Sequence, residues 1–214
     1  MWELLRFTMY EGLVVLGPGV IVYNALAGPG TVDVENGQWR IHNPLDVTDV
    51  TPTPVLIAAL GPVMLRIAGE RTDGTILWLA DERAIGGHVV PHLTKAAEGA
   101  GRPAPRVVAG VPVCLCGNDE VDQAVERTNR ILSEAEVSPN YQKLLDLGDA
   151  RNVGDLLAAG DESAVERRLR SYADAGVTDL SVRVVPIGNG RDELIASSKR
   201  TRALLADLAP ALAS

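Results

Sequence analysis

The pattern of apolar and polar residues is most regular at residues 54–79, where it predicts a strand, a helix and a second strand. Residues 55–59 are continuously apolar rather than alternating, which is typical of a strand that is covered on both faces in a parallel sheet. Pro62 suits the first turn of a helix, and the apolar residues that follow it recur at helical spacing. The second strand is predicted at residues 75–79. The stretch is therefore predicted to be one βαβ unit.

Further along the chain, apolar runs and helical periodicities alternate. Strands are predicted at residues 106–116 and 179–185, and the short run at residues 156–159 fits the end of another. Apolar spacing and capping residues predict helices at residues 85–99, 118–136, 139–147, 162–175 and 193–212. This alternation indicates a parallel sheet with helices outside it. The strands are fewer than a complete (β/α)₈ barrel needs, so the chain is either a small open α/β sheet or part of a barrel.

The beginning of the chain is less regular. Residues 1–30 lack a sustained period and predict only a short helix or strand. Residues 31–42 form two alternating runs around Asn36-Gly37, a dipeptide typical of a β-hairpin with a two-residue turn. The apolar stretch at residues 13–27 is interrupted by a Gly-Pro-Gly sequence, so it is shorter than a membrane span requires. Acidic residues near the start are also unlike the basic beginning of a signal peptide.

Composition narrows the function classes. The chain has 214 residues, of which 46% are hydrophobic, and this is ample for a folded core. It carries 20 basic and 28 acidic residues, a formal net charge of −8. No basic stretch is interleaved with aromatic residues, so nucleic acid is not an expected partner. Cys114 and Cys116 are the only cysteines, too few for a disulfide framework, which favours a cytoplasmic protein.

Two loops that follow predicted strands are candidate anion sites. The first is Ala59-Leu60-Gly61 before Pro62, where the N–H groups of Leu60 and Gly61 and the helix dipole could receive a phosphate. Alternatively, Gly61 only makes a tight turn. The second is PIGNGR at residues 186–191, after the last strand, where barrels often bind phosphate. A plain surface loop is the alternative there.

Other residues carry weaker signals. Trp78 ends a strand, where an indole could stack on a ring or pack at the rim of the sheet. His88 and His92 are four residues apart, but no third ligand is evident, which favours a solvated helix face over a metal site. Cys114 and Cys116 lack CxxC spacing and are interpreted as buried apolar residues. The common nucleophile and nucleotide motifs are absent from the sequence, so no catalytic residue is assigned.

The segment IAALGPVMLRIAGERTDGTILW, residues 57–78, resembles a segment of the luciferase-like monooxygenases, especially of the branch that depends on coenzyme F-420. The resemblance extends over residues 25–214. Residues 25–47 are similar to an insertion of that family, and residues 172–182 to its last helix and strand. Members of the family are (β/α)₈ barrels with a flavin or deazaflavin at the carboxyl ends of the strands.

The resemblance implies a role for each matching residue. It puts the backbone of Leu60 and Gly61 at the cofactor phosphate, with Ala59 beside them and Trp78 at the next strand end. Leu60 stands where relatives have a second glycine, although a backbone N–H survives that change. The cofactor implied is coenzyme F-420, with FMN as the alternative.

The fold implied is the C-terminal half of a TIM (β/α)₈ barrel with about four parallel strands, flanking helices and a small β-hairpin insertion, preceded by an unplaced segment at residues 1–24. The function implied is an oxidoreductase that transfers hydride to, or oxygenates, a small organic substrate. The chain would be a truncated product, a fragment, or a half-barrel that pairs with a second copy, and residues 1–22 would cover part of its core. Two alternatives remain: a catalytically inactive cofactor-binding or structural fragment, and an independent small α/β module that binds another phosphorylated ligand.

Overall fold

The computed structural model describes residues 30–35, 40–45, 54–136 and 139–212. The predicted N-terminal segment at residues 1–24 lies outside them. The described strands are β1 (Gly30–Glu35), β2 (Arg40–Leu45), β3 (Leu56–Ala58), β4 (Gly74–Trp78), β5 (Arg106–Leu115), β6 (Ala158–Gly160) and β7 (Asp179–Val184). The described helices are α1 (Pro62–Arg71), α2 (Glu82–Ala84), α3 (Val90–Gly99), α4 (Val121–Glu136), α5 (Pro139–Asp146), α6 (Glu162–Asp174) and α7 (Arg191–Leu212).

Strands β3 to β7 form one parallel sheet. β4 lies between β3 and β5, and β7 pairs with the opposite edge of β5. Val113 of β5 pairs with both Val184 of β7 and Ala158 of β6, so β6 lies on the same edge of β5 as β4. The order β3-β4-β5-β7 with helices between the strands is that of successive barrel units, which confirms the prediction of a partial barrel with four or five parallel strands.

The predicted βαβ unit forms as the sequence indicates. Pro62 is the first residue of α1, and β4 begins at Gly74, where the φ of +147° requires glycine. A Cβ there would lie 2.0 Å from the carbonyl oxygen of Arg106. β4 ends at Trp78, one residue earlier than predicted, because Leu79 has a left-handed φ of +58°.

The helix predicted at residues 85–99 begins earlier, at Glu82, because the side chain of Asp81 accepts a hydrogen bond from Ala84 N–H and caps α2. A π-helical turn at Ile85–Val89 joins α2 to α3. The ambiguous run at residues 156–159 is a 3₁₀ turn at Val153–Leu156 followed by β6. α7 starts two residues earlier than predicted, at Arg191.

The predicted hairpin at residues 31–42 is present, but its expected turn was wrong. A two-residue turn at Asn36-Gly37 would place Glu35 opposite Gln38, whereas Glu35 lies opposite Arg40. Four residues, 36–39, therefore lie between Glu35 and Arg40, the last described pair of the hairpin. Asn-Gly also occurs in longer hairpin loops, so the dipeptide alone does not fix the register.

The two faces of the parallel sheet have different partners. The face that carries Leu77, Ala109 and Val111 packs against α1, α3, α6 and α7 in the main apolar cluster. Side chains alternate along a strand, so the register partners Trp78, Gly110 and Ser181 lie on the opposite face, which we call the inner face. The sheet is therefore covered by helices on one side, as in a barrel wall.

The carboxyl end of β5 carries a further layer. β5 is ten residues long and extends beyond β4. Two smaller apolar clusters include α4, one at the carboxyl end of β5 through Ala124 and one at the carboxyl end of β4 through Leu132. Among the described helices, none is long and apolar enough to cross a membrane.

Candidate functional site

The turn between β3 and α1 presents unpaired backbone donors. Gly61 is the N-cap of α1, and no side chain caps this end of the helix. Within the described residues, the N–H groups of Leu60 and Gly61 have no hydrogen-bond acceptor. A Cβ built on Gly61 meets nothing within 4 Å, so the space beside it is open. A helix N-terminus with free N–H groups and open space has the chemistry of an anion site.

The backbone of Gly61 itself does not need glycine. Its φ of −92° and ψ of 160° are extended values that any residue adopts. The backbone angles of the turn therefore give no reason for a glycine at this position. Ala59, immediately before the turn, is fully buried against the helix side of the sheet and anchors it.

His88 fixes the orientation of the turn. Its ring nitrogen Nε2 lies 3.2 Å from the carbonyl oxygen of Leu60, so Nε2–H donates to that oxygen. A trans peptide directs its C=O and its N–H in opposite directions. The N–H of Gly61 therefore points away from His88.

The histidine pair differs from the predicted solvated helix face. His92 is exposed and its Nδ1 donates to the carbonyl oxygen of His88 across 2.7 Å, but His88 is half-buried against the Leu60 turn. Within the described residues, no group of three or more His, Cys, Asp or Glu side chains could hold a metal ion. The sequence contained no local signal for the His88 contact, because its partner lies 28 positions away.

Trp78 lies at the next strand end and packs closely against β5. A Cβ on Gly110 would come within 2.2 Å of Cε3 of the indole. The ring therefore occupies the space that a side chain at position 110 would need. Trp78 also packs against the apolar cluster of Leu79, Leu132 and neighbouring residues, which is the rim-packing interpretation. Leu79 adopts a strained φ directly after it, and such strain is common near functional sites.

Asp81 holds the following loop in place. This carboxylate is 5% exposed. Its Oδ2 accepts hydrogen bonds from the N–H groups of Asp149 at 2.6 Å and Ala150 at 3.0 Å, while its Oδ1 accepts from Ala84 N–H at 2.8 Å. It therefore ties the loop after α5 to the carboxyl end of β4.

Arg183 of β7 reaches Trp78 across the inner face. Its guanidinium carbon lies 5.9 Å from the centroid of the indole ring, a cation–π distance. The side chain is half-buried, and burial lowers the pKa of Arg183. Neither Arg183 nor Gly110 was singled out in the sequence, because only the register brings them beside Trp78.

The remaining candidates lie elsewhere. Cys114 and Cys116 are buried, as predicted, and burial raises the pKa of Cys114 to about 12. The loop at residues 186–191 closes on its own helix, since Glu193 accepts a hydrogen bond from Asn189 N–H across 2.7 Å. Gly188 has a φ of +148° that requires glycine. The carboxylate of Glu193, bonded to this loop, disfavours an anion beside it.

Comparison with known proteins gives a family. The family model described as luciferase-like monooxygenase matches residues 24–179. The 5,10-methylenetetrahydromethanopterin reductase of Methanopyrus kandleri is 24% identical in an alignment of 204 residues that covers 82% of this chain and 57% of that protein. The chain therefore spans little more than half the length of this curated relative.

Solved structures share the fold. The coenzyme F420-dependent tetrahydromethanopterin reductase from Methanopyrus kandleri aligns with a TM-score of 0.54 and 22% identity, over 84% of this chain and 59% of that one. A monooxygenase from Streptomyces bottropensis aligns with a TM-score of 0.61 and 20% identity, over 88% and 58%. An F420-dependent secondary alcohol dehydrogenase aligns with a TM-score of 0.57 and 13% identity, over 83% and 57%.

Proposed function

The chain belongs to the luciferase-like monooxygenase family, and we propose that it acts as an oxidoreductase dependent on coenzyme F-420, with FMN as the alternative cofactor. The cofactor would supply hydride transfer, or oxygen activation in the case of a flavin, to a small organic substrate. The protein's contribution is to bind and orient the cofactor. The named relatives include two F420-dependent enzymes, which supports coenzyme F-420, and a monooxygenase, which supports oxygenation as the alternative reaction.

The observation that carries the proposal is the pair of N–H groups at Leu60 and Gly61, which have no acceptor among the described residues. They lie at the carboxyl end of β3, where enzymes with this fold place their ligands. The dipole of α1 adds positive potential at the same point. His88 holds the Leu60 carbonyl, so the Gly61 N–H keeps one direction before any ligand arrives. A donor that is already oriented loses less entropy when it binds a phosphate.

The alternative is a cofactor-binding chain without turnover. One observation favours it: within the described residues, the ionisable side chain bonded to the turn is His88, and its Nε2–H is committed to Leu60. No other acid or base is placed there by a described contact. Both functions predict cofactor binding, and only the oxidoreductase predicts turnover.

The test is a titration of the purified chain with F-420, and separately with FMN, followed by cofactor fluorescence. We expect saturable binding of one of them. Gly61→Asp should weaken it at least about tenfold relative to Gly61→Asn, because the two side chains have the same shape and differ in a negative charge beside the phosphate. Asp and Asn are both good N-caps, so neither should destabilise α1.

Two results would overturn the proposal. One is no saturable binding of either cofactor by a folded wild-type chain. The other is equal affinity in the Gly61→Asp and Gly61→Asn variants, which would put the phosphate elsewhere. Binding without turnover of any substrate would select the alternative function.

A further inference from the structure

The inner face of the sheet carries two arginines in contrasting surroundings. Arg106, at the amino end of β5, donates two hydrogen bonds to Asp179 at 2.6 and 3.1 Å. Arg183, at the carboxyl end of β7, has no ion pair with any described residue. Asp179 is the carboxylate on the same face of β7, but it is four residues away, roughly 13 Å along a strand, and already paired with Arg106.

The guanidinium of Arg183 keeps its hydrogen-bond donors free. In its contact with Trp78, the positive charge lies against the face of the ring, and no N–H group of Arg183 has to donate a hydrogen bond. Within the described part of the chain, none of its donors is given to a backbone or side-chain acceptor. The guanidinium is half-buried and its nitrogens are not among the buried unsatisfied atoms of the described residues, so its donors are available to an anion.

Arg183 is close to the candidate site but separate from the Gly61 turn. In the register, Trp78 is level with Ser181, and Arg183 lies two residues further toward the carboxyl end. The turn at Gly61 is at the same end of the sheet. β3 and β7 are three strand spacings apart, roughly 14 Å. This spacing applies to the strand backbones, whereas the guanidinium of Arg183 reaches toward Trp78 of β4. We assign the two positions to different groups, and the cofactor titration of Arg183→Gln tests that assignment.

We infer that Arg183, held against Trp78, is a subsite for an oxyanion, and that this is the carboxylate or phosphate group of the substrate. The planar guanidinium offers paired donors that match the two oxygens of either group. Trp78 fixes the side chain from one side, and the closeness of Gly110 fixes Trp78 in turn. The assignment of the anion to the substrate rests on the proposed function. The anion site itself does not.

The test uses the emission of Trp78, which a ligand on Arg183 would change. Trp2→Phe and Trp39→Phe leave Trp78 as the sole tryptophan. This protein is titrated without cofactor with sodium phosphate, sodium acetate and neutral acetamide, at constant ionic strength. We expect a saturable change with phosphate or acetate and none with acetamide. Tighter binding of phosphate would indicate a phosphate ester as substrate, and tighter binding of acetate a carboxylic acid.

Variants assign the response to Arg183. Arg183→Gln should weaken anion binding at least tenfold. Arg183→Lys should weaken anion binding severalfold, because lysine keeps the positive charge but lacks the paired N–H donors of the guanidinium. Arg106→Gln removes the same charge from the same face at the other end of the sheet, and it should leave anion binding unchanged.

Three outcomes would overturn the inference: no saturable change in a folded protein, the same anion affinity in Arg183→Gln, or, if that variant does not fold, the same affinity in Arg183→Lys. The F-420 and FMN titrations distinguish it from the proposed function. Arg183→Gln should bind the cofactor within about threefold of wild type. A loss as large as that in Gly61→Asp would assign Arg183 to the cofactor and overturn the substrate assignment. Failure of all cofactor binding with anion binding intact would overturn only the proposed function.

Discussion

Nε2–H of His88 donates a hydrogen bond to the carbonyl oxygen of Leu60 across 3.2 Å, and this contact joins the π-helical turn to the candidate phosphate site. His88→Ala should free the Leu60–Gly61 peptide to rotate. We expect cofactor binding to weaken by about three- to tenfold, because the lost hydrogen bond is worth about 1 kcal/mol. Fluorescence titration with F-420 or FMN measures the effect.

His92→Ala is the matched control for this prediction. His92 lies on the same helical segment, is exposed, and contacts the carbonyl oxygen and the ring of His88 rather than the turn. Its removal should change cofactor affinity less than about twofold. Equal loss in the two variants would show that the effect comes from the helix and not from the Leu60 carbonyl.

Gly110→Ala should displace Trp78. The new Cβ would lie 2.2 Å from Cε3 of the indole and 3.1 Å from the carbonyl oxygen of Leu77, so either the ring or the strand must move. Overpacking of this kind costs about 1–3 kcal/mol. We expect a lower unfolding midpoint in urea and a shift of tryptophan emission.

Gly99→Ala is the control, because a Cβ there meets nothing within 4 Å. Gly99 is the last residue of α3, where alanine is the better helix former, so stability should stay the same or rise slightly. If both alanine variants were equally stable, the close packing of Trp78 on Gly110 would be wrong.

The sequence predicted the elements that local signals determine. Pro62 after Gly61 located the start of α1, and the continuous apolar run located β3, because both depend on neighbouring residues. The contacts of the site depend on residues far apart in the chain. His88 with Leu60, and Trp78 with Gly110 and Arg183, follow from strand register and helix packing, which apolar periodicity does not encode.

The errors in the predicted ends of helices and strands also come from contacts between residues that are far apart in the chain. The helix predicted at residues 85–99 begins at Glu82 because the carboxylate of Asp81 caps α2, and the same carboxylate also binds the backbone of Asp149 and Ala150. The capping role was readable from the residue type, but the second role was not. In the hairpin, Asn36-Gly37 predicted a two-residue turn, whereas the strand register leaves four residues between Glu35 and Arg40. Local residue types therefore predicted that the helix and the hairpin exist, whereas contacts between distant residues determined where the helix begins and how long the hairpin loop is.

Asp81→Asn should destabilise the fold. The carboxylate accepts three backbone hydrogen bonds, and an amide presents an NH₂ group to at least one of those donors. Leaving buried donors unsatisfied costs about 1–3 kcal/mol each, so we expect a loss of about 2–3 kcal/mol in unfolding free energy. Urea denaturation measures it. Asp161→Asn is the control, since Asp161 is an exposed N-cap whose one acceptor contact among the described residues is with Ala164 N–H, and asparagine caps equally well.

The pair of Arg106 and Asp179 predicts a pH dependence of stability. The pKa of Asp179 is lowered, first of all because Arg106 donates hydrogen bonds to its carboxylate. A lowered pKa in the folded state stabilises the protein above the unfolded value of about 3.9, and this stabilisation is lost as the pH falls through the folded value. Both side chains are more than a third exposed, so solvent screening limits the effect to less than about 1 kcal/mol.

Asp179→Asn tests this directly. The difference in unfolding free energy between wild type and variant should be largest near pH 7 and should shrink toward about pH 3, because protonation of Asp179 then removes the same charge. Urea unfolding at several pH values measures this difference. Asp207→Asn, which removes an exposed carboxylate without a described ion pair, should change stability by less than about 0.5 kcal/mol throughout. A difference for Asp179→Asn that stayed constant between neutral and acidic pH would mean that the Arg106 pair does not stabilise the ionised carboxylate.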